Sequence, residues 1–211
     1  MSSITTTNEE KLRPDLELIC EWIKPNTRVL DLGCGDGALL NHLKKTRNVS
    51  GYGLEIDNTN IIKCIVKGVQ VIQTNLDEGI TEFFEENSFD YVVMTQTLQA
   101  IQYPEALLKQ MMRIGKEGIV TFPNMAFWKN RIQLGLGGHM PITRTLPENW
   151  HDTPNIHLCS LQDFEDLCDT SGIKIIQRSA VDHAHRYSLG SKLFPNLLGE
   201  IALYRFCKNS A

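Results

Sequence analysis

Nine residues near the amino end, V-L-D-L-G-C-G-D-G at 29–37, limit the possible architecture more than any other part of the chain. A short apolar run enters a glycine-rich turn, and a helical pattern follows from Ala38 to Lys45. Glycines such as Gly33 and Gly35 let the backbone turn sharply and let a ligand approach the main chain closely. The next helix directs unpaired N–H groups and its positive dipole end toward that ligand. This arrangement is typical of the carboxyl end of a parallel strand, where open α/β sheets bind ligands.

The remaining pattern extends this strand–turn–helix unit into a larger sheet. Strands are predicted at 28–32, 49–54, 69–73, 89–94, 118–122, 173–180 and 201–207, and helices at 14–23, 38–45, 58–67, 104–113, 125–134 and 161–170. Ser160 is expected to cap the last of these helices, with Asp163 in its first turn. Near-continuous apolar strands that alternate with helices indicate a parallel sheet covered by helices on both faces.

Residues 123–159 interrupt this rhythm. The segment is rich in proline and glycine, and helical spacing is found only over 125–134. It also carries Phe127, Trp128 and Trp150, and aromatic content of this kind argues against disorder. We therefore predict one domain over residues 1–211 with a lid-like insertion at about 123–159. An apolar lid face either closes on a ligand or docks a protein, and the sequence leaves both alternatives open.

Composition excludes several classes of function. The 211 residues include 21 Lys and Arg against 25 Asp and Glu, a net charge of −4, which disfavours a general nucleic-acid or anionic-membrane binder. The longest uncharged stretch, Tyr91 to Pro104, is too short to cross a bilayer, and the first residues lack the features of a secretory signal. Six cysteines without a C-x-x-C pair favour a reducing compartment, and we expect the cytoplasm. His183 and His185 lack a nearby third ligand, so no metal site is predicted.

Two acidic residues accompany the glycine turn and narrow the choice of ligand. Asp31 stands two residues before Gly33, where a carboxylate would repel a pyrophosphate but suits an ammonium group. Glu55 ends the next strand, where a carboxylate accepts hydrogen bonds from both hydroxyls of a ribose. The spacing of Gly33, Gly35 and Ala38 also fits a relaxed dinucleotide motif, so an NAD-linked enzyme is a weaker alternative. An ammonium and a ribose without a pyrophosphate describe S-adenosylmethionine better.

The strings D-L-G-C-G-D-G and G-L-E-I-D resemble the class I S-adenosylmethionine-dependent methyltransferase superfamily. The resemblance implies a Rossmann-like α/β fold, with helices on both faces of a seven-stranded, mostly parallel sheet. Its last strand would be antiparallel and inserted beside the sixth. The positions that match the superfamily's cofactor site are Asp31, Gly33, Cys34, Gly35, Glu55, Ile56, Asn75, Leu76, Thr95 and Gln96. The superfamily commonly has Asp where this chain has Asn75, a neutral and therefore weaker acceptor.

A closer resemblance covers residues 12 to 168. The strings I-V-T-F-P-N-M-A-F-W-K-N-R-I-Q-L and D-T-P-N-I-H-L-C, among others, are similar to the MetW family of methionine biosynthesis proteins. The resemblance implies an accessory subunit that binds S-adenosylmethionine or S-adenosylhomocysteine and acts with MetX, a homoserine O-acyltransferase. The alternative is a true methyltransferase acting on a small molecule. No catalytic base is assured, because the candidates His151, Asp152 and His157 each have a structural interpretation as well. Asp152 could cap the turn at Thr153-Pro154, and His157 could bond a neighbouring carbonyl.

Overall fold

The computed structural model describes residues 12–182 and 192–209. Their strands are β1 (Arg28–Leu32), β2 (Ser50–Glu55), β3 (Val71–Gln73), β4 (Phe89–Thr95), β5 (Gly115–Pro123), β6 (Ile173–Val181) and β7 (Ile201–Lys208). They form one seven-stranded sheet in the order β3-β2-β1-β4-β5-β7-β6. The strands from β3 to β5 pair in parallel, and β7 lies antiparallel between β5 and β6. The expected sheet, with its antiparallel last strand inserted beside the sixth, is confirmed.

Helices follow most of the strands, as the alternating pattern predicts. They are α1 (Pro14–Trp22), α2 (Ala38–Arg47), α3 (Asn58–Val66), α4 (Pro104–Ile114), α5 (Trp128–Gly135), α6 (Leu161–Thr170) and α7 (Pro195–Leu198), with 3-10 turns at Leu76–Glu78 and Leu98–Ala100. The predicted cap of α6 is present as a capping box, in which each of the two side chains accepts the backbone N–H of the other residue. Ser160 Oγ accepts the N–H of Asp163 at 3.2 Å, and the Asp163 carboxylate accepts the N–H of Ser160 at 2.8 Å. This reciprocal pair satisfies two N–H groups that a bare helix start would leave without partners.

Two apolar cores cover the two faces of the sheet. Successive side chains of a strand point to opposite faces, and Val29 and Leu30 of β1 accordingly belong to different buried clusters. One cluster includes Ile19 of α1 together with side chains of α2, and the other includes side chains of α4 and α6. In the second cluster the ring of Phe164 lies 5.1 Å from that of Phe122. This double packing holds the carboxyl ends of the parallel strands in fixed positions.

Three elements begin two or three residues away from their predicted starts, each for an identifiable reason. Strand β5 begins at Gly115 rather than Gly118, and a Cβ on Gly118 would lie 2.4 Å from a ring carbon of Phe206. Gly118 is therefore an internal packing position, not the start of a strand. Helix α5 begins three residues later than predicted, because the Asn124 side chain accepts the N–H of Ala126 and holds a turn there. Strand β3 begins at residue 71 rather than 69, since the N–H of Val69 still donates to the carbonyl of Cys64 in α3.

The stretch between β5 and α6, residues 124–160, is here called the β5–α6 segment. Its two ends meet, because the N–H of Met125 donates to the carbonyl of Cys159 at 3.0 Å. Asn124 is buried and donates through Nδ2 to the carbonyl of Gly199 at 2.7 Å. Near the other end, the N–H groups of Ile156 and His157 both donate to the carbonyl of Gln99 at 2.9 Å. The segment is thus a closed excursion fastened to the rest of the fold near both of its ends.

Candidate functional site

The glycine turn after β1 has the backbone conformation that its sequence predicts. Gly33, Gly35 and Gly37 all have positive φ values, of 69°, 56° and 74°. Gly33 is also required sterically, because a Cβ there would lie 2.6 Å from Oγ1 of Thr97. The N–H groups of Gly33 and Cys34 both donate to the carbonyl of Leu54, at 2.9 and 3.0 Å. The turn is therefore fixed between the ends of β2 and β4.

Glu55, at the end of β2, holds this turn from the side. Its Oε2 accepts the N–H of Gly35 at 2.8 Å, and its Oε1 accepts the N–H groups of Ile56 and Asp57 at 2.9 and 3.0 Å. A carboxylate offers about four acceptor sites, so these bonds leave room for about one more. The sequence predicts that Glu55 binds the hydroxyls of a ribose. In this structure its bonds with the described residues go to backbone amides, and the binding of a ribose stays a prediction.

Asp31 is the most unusual group of the site. Its side chain is only 1% exposed, and its Oδ1 has no hydrogen-bond partner among the described residues. Burial raises the pKa of Asp31 to about 7, while Arg13 acts to lower that pKa and Glu55 to raise it. A buried carboxylate without a partner is costly, so a cation placed beside it would lower the free energy of the site.

A cleft of about 1240 Å³ opens beside Asp31, between the glycine turn and the first two helices. Of the ten residues that the sequence proposes for a cofactor site, Asp31, Gly33, Cys34, Gly35 and Thr95 line it. Glu55, Ile56, Asn75, Leu76 and Gln96 are not among the described residues of the lining.

Several of the proposed side chains already have structural roles. The Cys34 thiol is buried, with its Sγ 3.8 Å from that of Cys64. Asn75 caps the first 3-10 turn by accepting the N–H of Asp77 at 3.1 Å, and Leu76 is buried. The side chain of Ile56, by contrast, is 60% exposed and available to a ligand.

A chain of polar contacts that the sequence does not predict begins at Arg13, in the lining of the cleft. Arg13 donates to the buried Asp15 through Nε and Nη2, at 3.2 and 3.1 Å. Asp15 also accepts from Nε2 of Gln96 at 3.2 Å. Gln96 is a non-glycine residue with φ of 51°, and its carbonyl accepts from Nε2 of Gln99 at 2.7 Å. In the sequence, Arg-Pro-Asp at 13–15 looks like an ordinary helix start, so no local signal reveals this chain of contacts.

The candidate bases of the β5–α6 segment lie elsewhere. His151 Nε2 is 3.2 Å from the carboxylate of Asp152, and both side chains are exposed. The His157 ring nitrogen lies 3.2 Å from the carbonyl of Gln102, as its structural interpretation predicts. The structural role considered for Asp152, a cap of the following turn, is instead filled by Thr153, whose hydroxyl accepts the N–H of Asn155 at 3.1 Å. None of these side chains is in the lining of the cleft over the described ranges.

A metal site and a membrane-spanning helix can both be looked for in the described part of the chain. Within residues 12–182 and 192–209 there is no group of three or more His, Cys, Asp and Glu side chains placed to hold a metal ion. His183 and His185 lie outside these residues. No helix of the described ranges has the length and apolar character needed to cross a membrane.

Solved structures with the same fold include several related to methyltransferases. A complex of the Haloferax volcanii Trm112 methyltransferase activator with a methyltransferase matches with a TM-score of 0.64 at 13% identity, over 89% of this chain and 85% of that one. A possible histamine N-methyltransferase from Thermotoga maritima matches with a TM-score of 0.62 at 19% identity, over 92% and 87%. At these identities the likeness establishes the class I methyltransferase fold.

Sequence comparisons identify the family. The chain is 30% identical to the bifunctional methionine biosynthesis protein MetXA/MetW of Rhodopirellula baltica, over 92% of its own length. It spans only 33% of that relative. A carboxy-S-adenosyl-L-methionine synthase of Trichodesmium erythraeum is 32% identical over 47% of this chain and 40% of that protein. The family model "Methionine biosynthesis protein MetW" matches residues 13–206, and the chain therefore belongs to the MetW family.

Proposed function

We propose that this protein binds S-adenosylmethionine or S-adenosylhomocysteine in the cleft beside Asp31. We further propose that it serves methionine biosynthesis as an accessory subunit of a MetX-type homoserine O-acyltransferase. The observation that carries the ligand assignment is Asp31, which lines the cleft and whose buried Oδ1 has no hydrogen-bond partner among the described residues. The observation that supports the partner is the bifunctional MetXA/MetW relative.

The chemistry of the cleft supports an adenosine ligand with an amino-acid tail. An ammonium beside Asp31 would supply the charge that the buried carboxylate lacks, whereas the pyrophosphate of NAD would be repelled. Glu55 has acceptor capacity left for a ribose hydroxyl, and the exposed side chain of Ile56 follows it, where an adenine could pack. In this proposal Asn75 and Leu76 face the adenine, and Thr95 and Gln96 lie near the methionine end.

Surface features of the β5–α6 segment support a protein partner. Large apolar side chains are exposed along it, and they include Trp128, Ile132, Leu136, Trp150 and Ile156. Exposed apolar surface of this extent is typical of sites that bind another protein. In the Rhodopirellula baltica relative the MetXA and MetW activities share one polypeptide, and such a link raises the effective concentration of one for the other. All six cysteines are free thiols, which supports the expectation of a reducing compartment such as the cytoplasm.

Isothermal titration with S-adenosylhomocysteine and, separately, with NAD tests the ligand assignment. We expect S-adenosylhomocysteine to bind and NAD not to bind. Asp31→Ala should lose most of this affinity, while Asp90→Ala, which removes a carboxylate from the opposite end of the sheet, should keep it. Ligand at 100 times its Kd should stabilise the native protein by about 2.7 kcal/mol, which thermal unfolding would detect. Equal binding of NAD, or wild-type affinity in Asp31→Ala, would contradict the assignment.

Co-purification with a homoserine O-acyltransferase from the same source tests the partner. We expect a complex on size-exclusion chromatography, and a rate of acyl transfer that changes when this protein is added. Ovalbumin at equal concentration is the control for nonspecific effects. The partner assignment fails if the two proteins elute separately and the rate is the same with and without this chain.

A methyltransferase acting on a small molecule is the second candidate. The fold that this chain shares with a possible histamine N-methyltransferase favours it. The exposed His151–Asp152 pair, with its 3.2 Å contact, is absent from the lining of the cleft among the described residues and does not supply a base there. Incubation with methyl-labelled S-adenosylmethionine and a cell extract should then yield a labelled product that Asp31→Ala fails to make. Absence of labelled product from the wild-type protein would leave the accessory role as the better account.

A further inference from the structure

We propose that Gln99 couples the cleft beside Asp31 to the β5–α6 segment, so that a bound ligand fastens the segment and raises its affinity for a partner protein. The inference rests on the proposed function, because it takes S-adenosylhomocysteine as a ligand of the cleft and the segment as the partner surface. It adds a physical link between the two, through which the ligand regulates the partner complex.

Gln99 lies between the two sites and contacts both of them. Its side chain is buried, and Nε2 donates to the carbonyl of Gln96 at 2.7 Å. Its backbone carbonyl accepts the N–H groups of Ile156 and His157, both at 2.9 Å. One residue therefore holds the end of β4 with its side chain and the β5–α6 segment with its backbone. A displacement of Gln96 reaches the segment through the single 3-10 turn that contains Gln99.

The other end of this link begins at residues that line the cleft. Thr95 lines the cleft and directly precedes Gln96 in the chain. Arg13 also lines it and donates to Asp15 through Nη2 at 3.1 Å. Asp15 in turn accepts Nε2 of Gln96 at 3.2 Å, and it is buried, so little solvent competes for its oxygens. Gln96 is thus tied to the cleft along two separate routes.

Two features make the fastened arrangement easy to release. Gln96 has φ of 51°, an uncommon conformation for a residue other than glycine, and its surroundings have to maintain it. Oε1 of Gln99 is buried and has no hydrogen-bond partner within residues 12–182 and 192–209. Both features cost free energy in the fastened arrangement, which brings an open arrangement closer to it. An element with two such arrangements is what one site needs to influence another.

The direction of the coupling follows from what each molecule stabilises. A ligand shifts a conformational equilibrium only by its preference for one of the arrangements. A ligand that fills the cleft restricts the lining residues Thr95 and Arg13, and so favours the arrangement in which Gln96 and Gln99 are joined. A partner that binds the fastened segment favours the same arrangement. Ligand and partner should therefore raise the affinity for each other by the same factor.

The first experiment needs only this protein and S-adenosylhomocysteine. Amide hydrogen exchange, resolved by NMR, reports local opening at single N–H groups. Saturating ligand should slow exchange at Ile156 and His157 at least about fivefold. The N–H of Ile142 donates to Oε1 of Gln133 inside the segment, so it does not depend on the link. It is the internal control and should keep its ligand-free exchange rate.

The second experiment adds a homoserine O-acyltransferase from the same source. Saturating S-adenosylhomocysteine should raise the affinity of the two proteins at least about fivefold. Gln99→Met removes the side-chain hydrogen bond and keeps the backbone carbonyl, so the ligand should then change this affinity less than about twofold. Gln102→Met is the matched control and should retain the full ligand effect. Gln102 is exposed, and its side chain forms no hydrogen bond in the described part of the chain.

The outcomes separate the inference from the function on which it rests. Protein that fails to bind S-adenosylhomocysteine overturns both. Protein that binds it, with unchanged exchange at Ile156 and His157 or an unchanged acyltransferase affinity, overturns the inference and leaves the ligand assignment standing. The inference also fails if Gln99→Met binds the ligand and keeps the full ligand effect. If Gln99→Met does not fold, or the acyltransferase does not bind, the exchange rates of the wild-type protein decide alone.

Discussion

Replacement of Asp31 by asparagine should stabilise the ligand-free protein, and by more at higher pH. Burial raises the pKa of this carboxyl from 3.8 to about 7. The folded protein therefore binds a proton more tightly than the unfolded chain does. Stability from the protonated form is fully present below pH 3.8 and is lost as the pH rises through 7. Asparagine is neutral throughout, so Asp31→Asn escapes this loss.

The size of the effect follows from the shift. Each pKa unit corresponds to about 1.4 kcal/mol, so the shift from 3.8 to about 7 changes the free energy of unfolding by about 4 kcal/mol over the whole pH range. Part of this stability is already lost at about pH 5, and most of the rest is lost by about pH 8. The free energy of unfolding of Asp31→Asn, minus that of the wild type, should therefore increase by about 2.5 kcal/mol from pH 5 to pH 8. Above about pH 8 the difference should stay constant.

Urea denaturation of both proteins at several values between about pH 5 and pH 9 measures this difference. Asp90→Asn provides the control, because a hydrogen bond from Lys116 lowers the pKa of Asp90. Stability from that group is present above pH 3.8 and is lost only in more acidic solution, so its difference curve should be flat from about pH 5 to pH 8. A flat curve for Asp31→Asn would refute the argument that an ionised, unpartnered Asp31 burdens the ligand-free fold.

Three further substitutions test other parts of the structure. Gly33→Ala should lower the free energy of unfolding more than Gly68→Ala. Both glycines have φ of 69°, but only a Cβ at residue 33 would meet a side chain, that of Thr97. Urea denaturation measures both losses, and equal losses would contradict the steric argument. Glu55→Gln should destabilise the protein by about 1–3 kcal/mol, because an amide NH₂ replaces an oxygen that accepts backbone N–H groups. Thermal unfolding measures this change, and an unchanged Tm would contradict the role given to these hydrogen bonds. If the proposed acyltransferase complex forms through the β5–α6 segment, Leu136→Ser, at 86% exposure, should weaken it at least about fivefold in a pull-down titration. Val66→Ser, at 81% exposure on α3, should leave that affinity unchanged.

Local sequence patterns predict the elements of this fold better than their boundaries. The cap at Ser160 depends on residues three apart, so it is visible in the sequence. The start of β5 is not visible, because the role of Gly118 depends on Phe206 of a strand much later in the chain. The position of β7 came from the resemblance to a known superfamily, since apolar periodicity alone does not give strand order.

In the candidate site, too, some features can be predicted from the sequence and others become evident only in the folded chain. Asp31 and the glycine turn lie within one short stretch of sequence, so their chemistry can be predicted together. The role of Asp15 depends on Gln96, a contact between residues 81 positions apart, and nothing near either residue indicates it. For Glu55 the residue type and place were predicted, but the backbone N–H groups that it binds become evident only once the turn is folded.

The hydrogen bond between Met125 and Cys159 has a consequence for the sequence changes that this protein can tolerate in evolution. An excursion that leaves and returns at adjacent points transmits little strain to the strand and helix on either side, whatever its length. Insertions, deletions and exchanges within such a loop are tolerated far better than changes in the elements that it joins. New recognition properties can therefore arise in the middle of the segment while the cleft beside Asp31 is preserved. A transplant of residues 126–158 between relatives should accordingly move partner preference without moving ligand preference.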